Sequence, residues 1–156
     1  MDNAAPAGDT RRGMFSTVAV GTDGSATASQ AVIAAADLAR RYGAKVVLLS
    51  AFQDPGWTPR GRGGSSDVEI QWALTPSARV REILARTEQD LRSEGLECTT
   101  LVDEGEPGDV IVRLAAECGA DVVVIGNKGM RRRVLGSVPN TVTHKAPCSV
   151  LVVKTT

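Results

Sequence analysis

The sequence predicts an α/β protein, a mostly parallel sheet with helices on both faces. Three observations predict it. Strand-like apolar runs alternate with segments of helical spacing, through five strands. The run Lys45 to Phe52, KVVLLSAF, is apolar almost throughout, the pattern of a strand covered on both faces. Helical segments run into Gly43, Gly95 and Gly119, where glycine closes a helix at little conformational cost. Parallel neighbours need right-handed crossovers, and the intervening helices supply them.

In chain order, residues 1–13 (MDNAAPAGDTRRG) are small or polar and read as a disordered N-terminal tail. Thr10-Arg11-Arg12 is similar to a twin-arginine signal, but the run that follows is too short for a signal core and is closed by Asp23. One domain is expected over 14–156, about the length a single core can organise. Phe15 to Val20 forms the first strand. Ala28, Ala31, Val32, Ala35, Leu38, Ala39 and Tyr42 then recur at helical spacing. After the second strand, residues 53–76 carry three prolines and four glycines and form a long irregular connection. Within it, Trp57 and Trp72 either lid the crevice at the strand ends or pack on the sheet edge, and packing is the favoured reading. A second helix follows Ser77 and carries Val80, Ile83, Leu84, Thr87 and Leu91. Glu97 to Val102 is a weaker third strand. Ile111, Leu114, Ala115 and Cys118 mark a third helix. Val122 to Ile125 is the fourth strand, Ser137 to Lys145 a short helix, and Ser149 to Lys154 (SVLVVK) the fifth strand.

Composition narrows the function. Lys+Arg and Asp+Glu balance at 18 each, so no global field recruits nucleic acid or a membrane surface. Aromatics at 3% leave little for base stacking. No run is long enough to span a bilayer. Cys98, Cys118 and Cys148 lack metal-binding spacing; Cys118 and Cys148 sit in apolar patterns and read as buried thiols in a reducing cytoplasm. His144 has no partners of metal-ligand spacing, and its place near the end of the last helix suits a structural cation.

Two loops leave strand ends with unusual residues. Gly21-Thr22-Asp23-Gly24-Ser25 follows the first strand. Gly126 to Ser137, GNKGMRRRVLGS, follows the fourth. In open parallel sheets ligands lie beyond the carboxyl ends of the strands, where strand order reverses. Glycine lets backbone amides approach an anion, and a helix start at Gly136-Ser137 would add unpaired donors and a partial positive charge. The Ser137 hydroxyl suits a phosphate; the Asp23 carboxylate suits a ribose hydroxyl. Plainer roles are available to each. Asp23 or Ser25 serves equally as the N-cap of the first helix, and Ser137 as that of the last. Gly126 and Gly129 serve as turn residues, and Arg131 to Arg133 as a solvated face.

These residues together resemble the universal stress protein family, over nearly all of Phe15 to Thr156. The matching pieces are Thr22-Asp23-Gly24-Ser25 after the opening strand, Gly105-Glu106-Pro107, ADVVVIG at Ala120 to Gly126, and GSVP at Gly136 to Pro139 continuing through APCSVLVV. The resemblance implies a doubly wound five-stranded sheet of order 3-2-1-4-5 and a homodimer through the last strand. For one branch it implies binding of ATP, with Mg, or of another adenine nucleotide such as AMP or cyclic AMP. Carried onto this chain, the nucleotide site comprises Thr22, Asp23, Gly24, Ser25, Ala51, Gly126, Asn127, Lys128, Gly129, Arg131, Gly136, Ser137 and Val138. Asp23 matches the acid near the adenosine, and Ala51 a position whose backbone meets adenine. The chain departs from the signature in one respect: MRRRVL places six residues between the second and third glycines, where the family's ATP-binding signature has nine.

No Gly-x-x-x-x-Gly-Lys-Ser/Thr loop and no cysteine paired with a base is present. A regulatory, non-catalytic nucleotide binder is therefore expected, with hydrolysis at most slow. The alternative is a dimeric interaction module of the same fold that does not bind nucleotide. The fifth strand is apolar enough to need cover: a second copy pairs with it if it is an edge, or it lies inside the sheet.

Overall fold

The computed structural model describes residues 13–53, 75–127 and 136–155. Trp57, Trp72, Lys128, Gly129 and Arg131 to Arg133 lie outside these residues, as does all but the last residue of the expected tail. Among the described residues the elements run β1 (Thr17–Gly21), α1 (Ala26–Tyr42), β2 (Lys45–Phe52), α2 (Pro76–Ser93), β3 (Cys98–Glu104), α3 (Pro107–Glu117), β4 (Val122–Asn127), α4 (Ser137–Lys145) and β5 (Ser149–Lys154). The strands form one parallel sheet of order β3-β2-β1-β4-β5. The expected α/β class and strand order are both observed.

Strand alternation splits the core into two layers. Val18, Val20, Val46, Leu48, Val122 and Val124 face α1 and α2, while Ala19, Val47, Leu49, Val123 and Ile125 face α3 and α4. Helix α1 buries Ala28, Ala31, Ala35, Ala36 and Ala39, side chains small enough to bring its axis close to the sheet. Its ends are well satisfied. Ser25 Oγ accepts from the Ala28 amide at 3.1 Å, and Gly43 takes the left-handed conformation at φ 63°. Helix α2 starts in the same way, with the buried Thr75 hydroxyl accepting from the Ala78 amide.

Two strands are longer than their apolar runs. β4 continues past Ile125 through Gly126 and Asn127, which pair with Val153 and Lys154 of β5. β3 likewise extends to Glu104, opposite Phe52. The ladder, not apolarity, sets where a strand ends. The assignment of cysteines also changes. Cys98 is the fully buried thiol, pushed up to about 11 by burial, whereas Cys118 and Cys148 are half-buried with thiols also raised by desolvation. No helix among the described residues is long and apolar enough to cross a membrane.

At the amino end of the sheet, Asp121 joins β4 to β1. Its Oδ2 accepts from the amides of Ser16 and Thr17 and from the Ser16 hydroxyl, all within 3.0 Å. These donors hold its carboxyl below the usual range, the backbone bond from Ser16 contributing most. A folded-state pKa below the unfolded one stabilises the protein above the unfolded value, and that stabilisation is lost as pH falls through the folded one. Asp121→Ala removes the acceptor of three donors and is expected to cost about 1 kcal/mol at pH 7, solvent screening at this partly exposed site keeping the loss small. The gap from wild type should shrink in urea titrations below about pH 4. A gap that stays constant into acid would show that the charge plays no part.

Candidate functional site at the carboxyl ends of β1 and β4

The strand order reverses between β1 and β4, since the chain leaves β1 toward β2 and returns from β3 to β4. A cavity of about 420 Å³ opens there, within the range of small-molecule sites. Every neighbouring element contributes to it. Gly21, Thr22 and Asp23 come from the end of β1, Ser50 and Ala51 from β2, and Ile125 and Gly126 from β4. Thr27 and Ala28 come from the start of α1, Pro107 and Ile111 from α3, and Gly136 to Pro139 from α4.

Local sequence shapes the β1–α1 turn. Gly24 adopts φ 77°, and a Cβ there would lie 2.5 Å from Ile83 Cγ2. Its amide donates to Thr22 Oγ1 at 3.2 Å, and the Ser25 amide donates to Asp23 Oδ1 at 2.9 Å. The turn therefore spends one carboxylate oxygen on itself and holds Asp23 at the cavity wall. Thr22, 8% exposed, accepts from Gly24 but keeps its hydroxyl proton to donate. Ser50, 3% exposed, adds a second hydroxyl at the cavity lining.

Helix α4 begins at the same cavity. Gly136 is its N-cap, so Ser137 is the first helical residue rather than the cap, and no side chain caps this end. Pro139 falls at the third helical position, where its missing N–H removes one orphan donor. The amides of Ser137 and Val138 have no acceptor within the helix and carry its positive end. The Gly136 amide is differently employed. It donates to Asn127 Oδ1 at 3.2 Å, so it holds the loop end to β4 instead of facing an anion.

Of the expected site residues, Thr22, Asp23, Ala51, Gly126, Gly136, Ser137 and Val138 line the cavity. Gly24, Ser25 and Asn127 are not in that lining: Gly24 and Ser25 shape the turn and cap α1, and Asn127 stands behind Gly136. Lys128, Gly129 and Arg131 fall outside the described residues. Sequence reasoning missed Thr27, Ala28, Ser50, Pro107, Ile111, Ile125 and Pro139. Most are small or apolar residues whose pattern is that of core. The starts of α1, α3 and α4 all point at this crevice, and Ile111, Ile125, Val138 and Pro139 supply apolar walls. The arrangement suits a ligand with a flat apolar part and an anionic end. Among the described residues no group of three or more His, Cys, Asp or Glu side chains could hold a metal ion.

The comparisons with known proteins agree with this geometry. The universal stress protein family model matches residues 14–154. A universal stress protein of Mycobacterium tuberculosis is 36% identical over 148 residues, covering 91% of this chain and 98% of that protein. A crystal structure of a universal stress protein in complex with cAMP superposes with a TM-score of 0.69 at 30% identity, over 91% of this chain and 98% of that one. A universal stress protein from Archaeoglobus fulgidus in complex with dAMP gives a TM-score of 0.62 at 28% identity, over 90% and 98%. With the family model spanning nearly all of the chain and a relative above 30% identity along its length, this chain belongs to the universal stress protein family.

Proposed function

We propose that this chain is a non-catalytic stress-response regulator that binds an adenine nucleotide in the β1/β4 crevice. One observation carries the reading. Among the described residues, the start of α4, which no side chain caps, the Asp23 carboxylate and several apolar side chains line one cavity. A nucleoside phosphate has that polarity: phosphate for the amides and Ser137, a ribose hydroxyl for Asp23, and a flat base for the apolar walls and the Ala51 backbone. The cAMP and dAMP complexes of the similar proteins support the same ligand class. Monophosphates suit the site better than ATP, because the glycine loop is three residues shorter than the family's ATP-binding signature. If ATP binds, Mg would arrive with it, on its phosphates.

The test is direct. Protein purified without added ligand is denatured, and the released small molecules are identified by mass spectrometry. Thermal shifts with AMP, cyclic AMP and ATP then rank the ligands. A ligand at about 100 times its Kd should stabilise by roughly 2.7 kcal/mol. No released nucleotide and no shift with any of the three would overturn the reading and leave the dimeric interaction module.

We also propose that β5 mediates a homodimer. Among the described residues it pairs with β4 alone and leaves Leu151 41% exposed, an apolar edge that a second copy would cover. Light scattering should give a dimer for wild type and a monomer for Leu151→Asp. A monomeric wild type at tens of micromolar would rule this out.

A further inference from the structure

Asn127 is 1% exposed and performs two tasks. Its Oδ1 accepts from the Gly136 amide at 3.2 Å, and its backbone carbonyl accepts from Thr155 Oγ1 at 2.7 Å. The Gly136 bond settles the orientation of the side-chain amide, because only the oxygen can receive an N–H. The Nδ2 that results has no hydrogen-bond partner among the described residues. A buried donor left so is costly, and the bond at Oδ1 has to offset it. Thr155 closes the other side. It follows the last residue of β5, and its Cγ2 lies 3.3 Å from where a Cβ on Gly126 would be.

We propose that Asn127 and Thr155 are positioning residues for the anion end of the site, through a chain of contacts running from Thr155 to Asn127 to Gly136. Neither needs to touch ligand. Thr155 pins the end of β4, Asn127 then holds the N-cap of α4, and the Ser137 and Val138 amides follow from where Gly136 is held. The tail of the edge strand thereby sets the aim of the helix that receives the phosphate. The proposal rests on the nucleotide reading above, and it separates from that reading in the test.

AMP and adenosine differ only in the phosphate, so their affinities isolate the anion end. Thr155→Val keeps the side chain's shape and removes its hydroxyl at a half-exposed position. It should weaken AMP about five-fold, and Asn127→Ala about ten-fold or more, with adenosine unchanged. Thr155→Ser should restore AMP binding. Equal losses for both ligands, or no loss for AMP, would overturn the proposal. Hydrogen exchange of the Gly136 amide, measured without ligand, gives a second readout. It should be slow in wild type and Thr155→Ser, and faster in Thr155→Val and Asn127→Ala. An unchanged rate in both weakened variants refutes the chain of contacts. If wild type binds neither AMP nor adenosine, the nucleotide reading fails, and the Gly136 exchange alone decides the brace.

Discussion

Gly126→Val is expected to abolish nucleotide binding and to destabilise the fold at the same time. A Cβ at this position would lie 3.3 Å from Thr155 Cγ2 and 3.4 Å from the Thr27 carbonyl oxygen, with Ala31 Cβ behind at 3.8 Å. Thr155 can yield, but the Thr27 carbonyl belongs to the first turn of α1 and cannot. The two further methyl groups of valine would push that turn and its N-cap away from β4, and Asp23 with them. Valine favours a strand by up to about 1 kcal/mol, which offsets part of an overpacking cost of about 1–3 kcal/mol. The net loss should be about 1–2 kcal/mol in urea unfolding. AMP affinity in calorimetry should fall by about 100-fold or more, because the turn carrying Asp23 is displaced. Gly126→Ala adds only the Cβ and should keep most of the stability. Wild-type affinity in the valine variant would mean that this end of β4 does not wall the ligand site.

Gly108→Val is expected to be the more damaging to the fold. Gly108 sits in the first turn of α3, buried, where a Cβ would come 2.8 Å from Thr141 Cβ and 2.9 Å from its Cγ2. These are stiff atoms of a β-branched side chain on α4, so the two helices must separate. Separation would carry Pro107 and Pro139, on either side of the contact, out of the cavity wall. A loss of about 3 kcal/mol is expected in urea unfolding followed by circular dichroism. Thr141→Gly, compared with its own single variant, should recover much of it in the double variant, since glycine removes both the Cβ and the Cγ2 that crowd position 108. Additive losses in that cycle would show that the contact is not the cause.

The fold class was legible because its signals are local. Near-continuous apolar strands, an alanine-rich helical face from Ala28 to Ala39 and glycines just beyond helix ends each depend on a few neighbouring residues. Much of the cavity lining was legible for a related reason. Thr22, Asp23, Ala51 and Gly126 lie at strand ends, and in a doubly wound sheet strand ends converge at the reversal point whatever else varies. Ser137 and Val138 follow from where the last helix starts. Ser50, Thr27, Ile111 and Ile125 were not legible as site residues, because a side chain at the end of a core stripe looks no different in sequence from one in the middle.

By itself, then, the sequence determined the alternation of strands and helices, the parallel sheet and the family to which the chain belongs. Tertiary structure alone decided how the amides at the loop end are used. Gly136 donates to Asn127, nine residues earlier, while Ser137 and Val138 are left to face the cavity. It also decided that Asn127 is a strand residue, since its pairing with Lys154 is a property of two strands and not of either. The physical reason is common to both cases: a hydrogen bond between distant segments has no signature in either segment, and exists only once packing has brought donor and acceptor within reach.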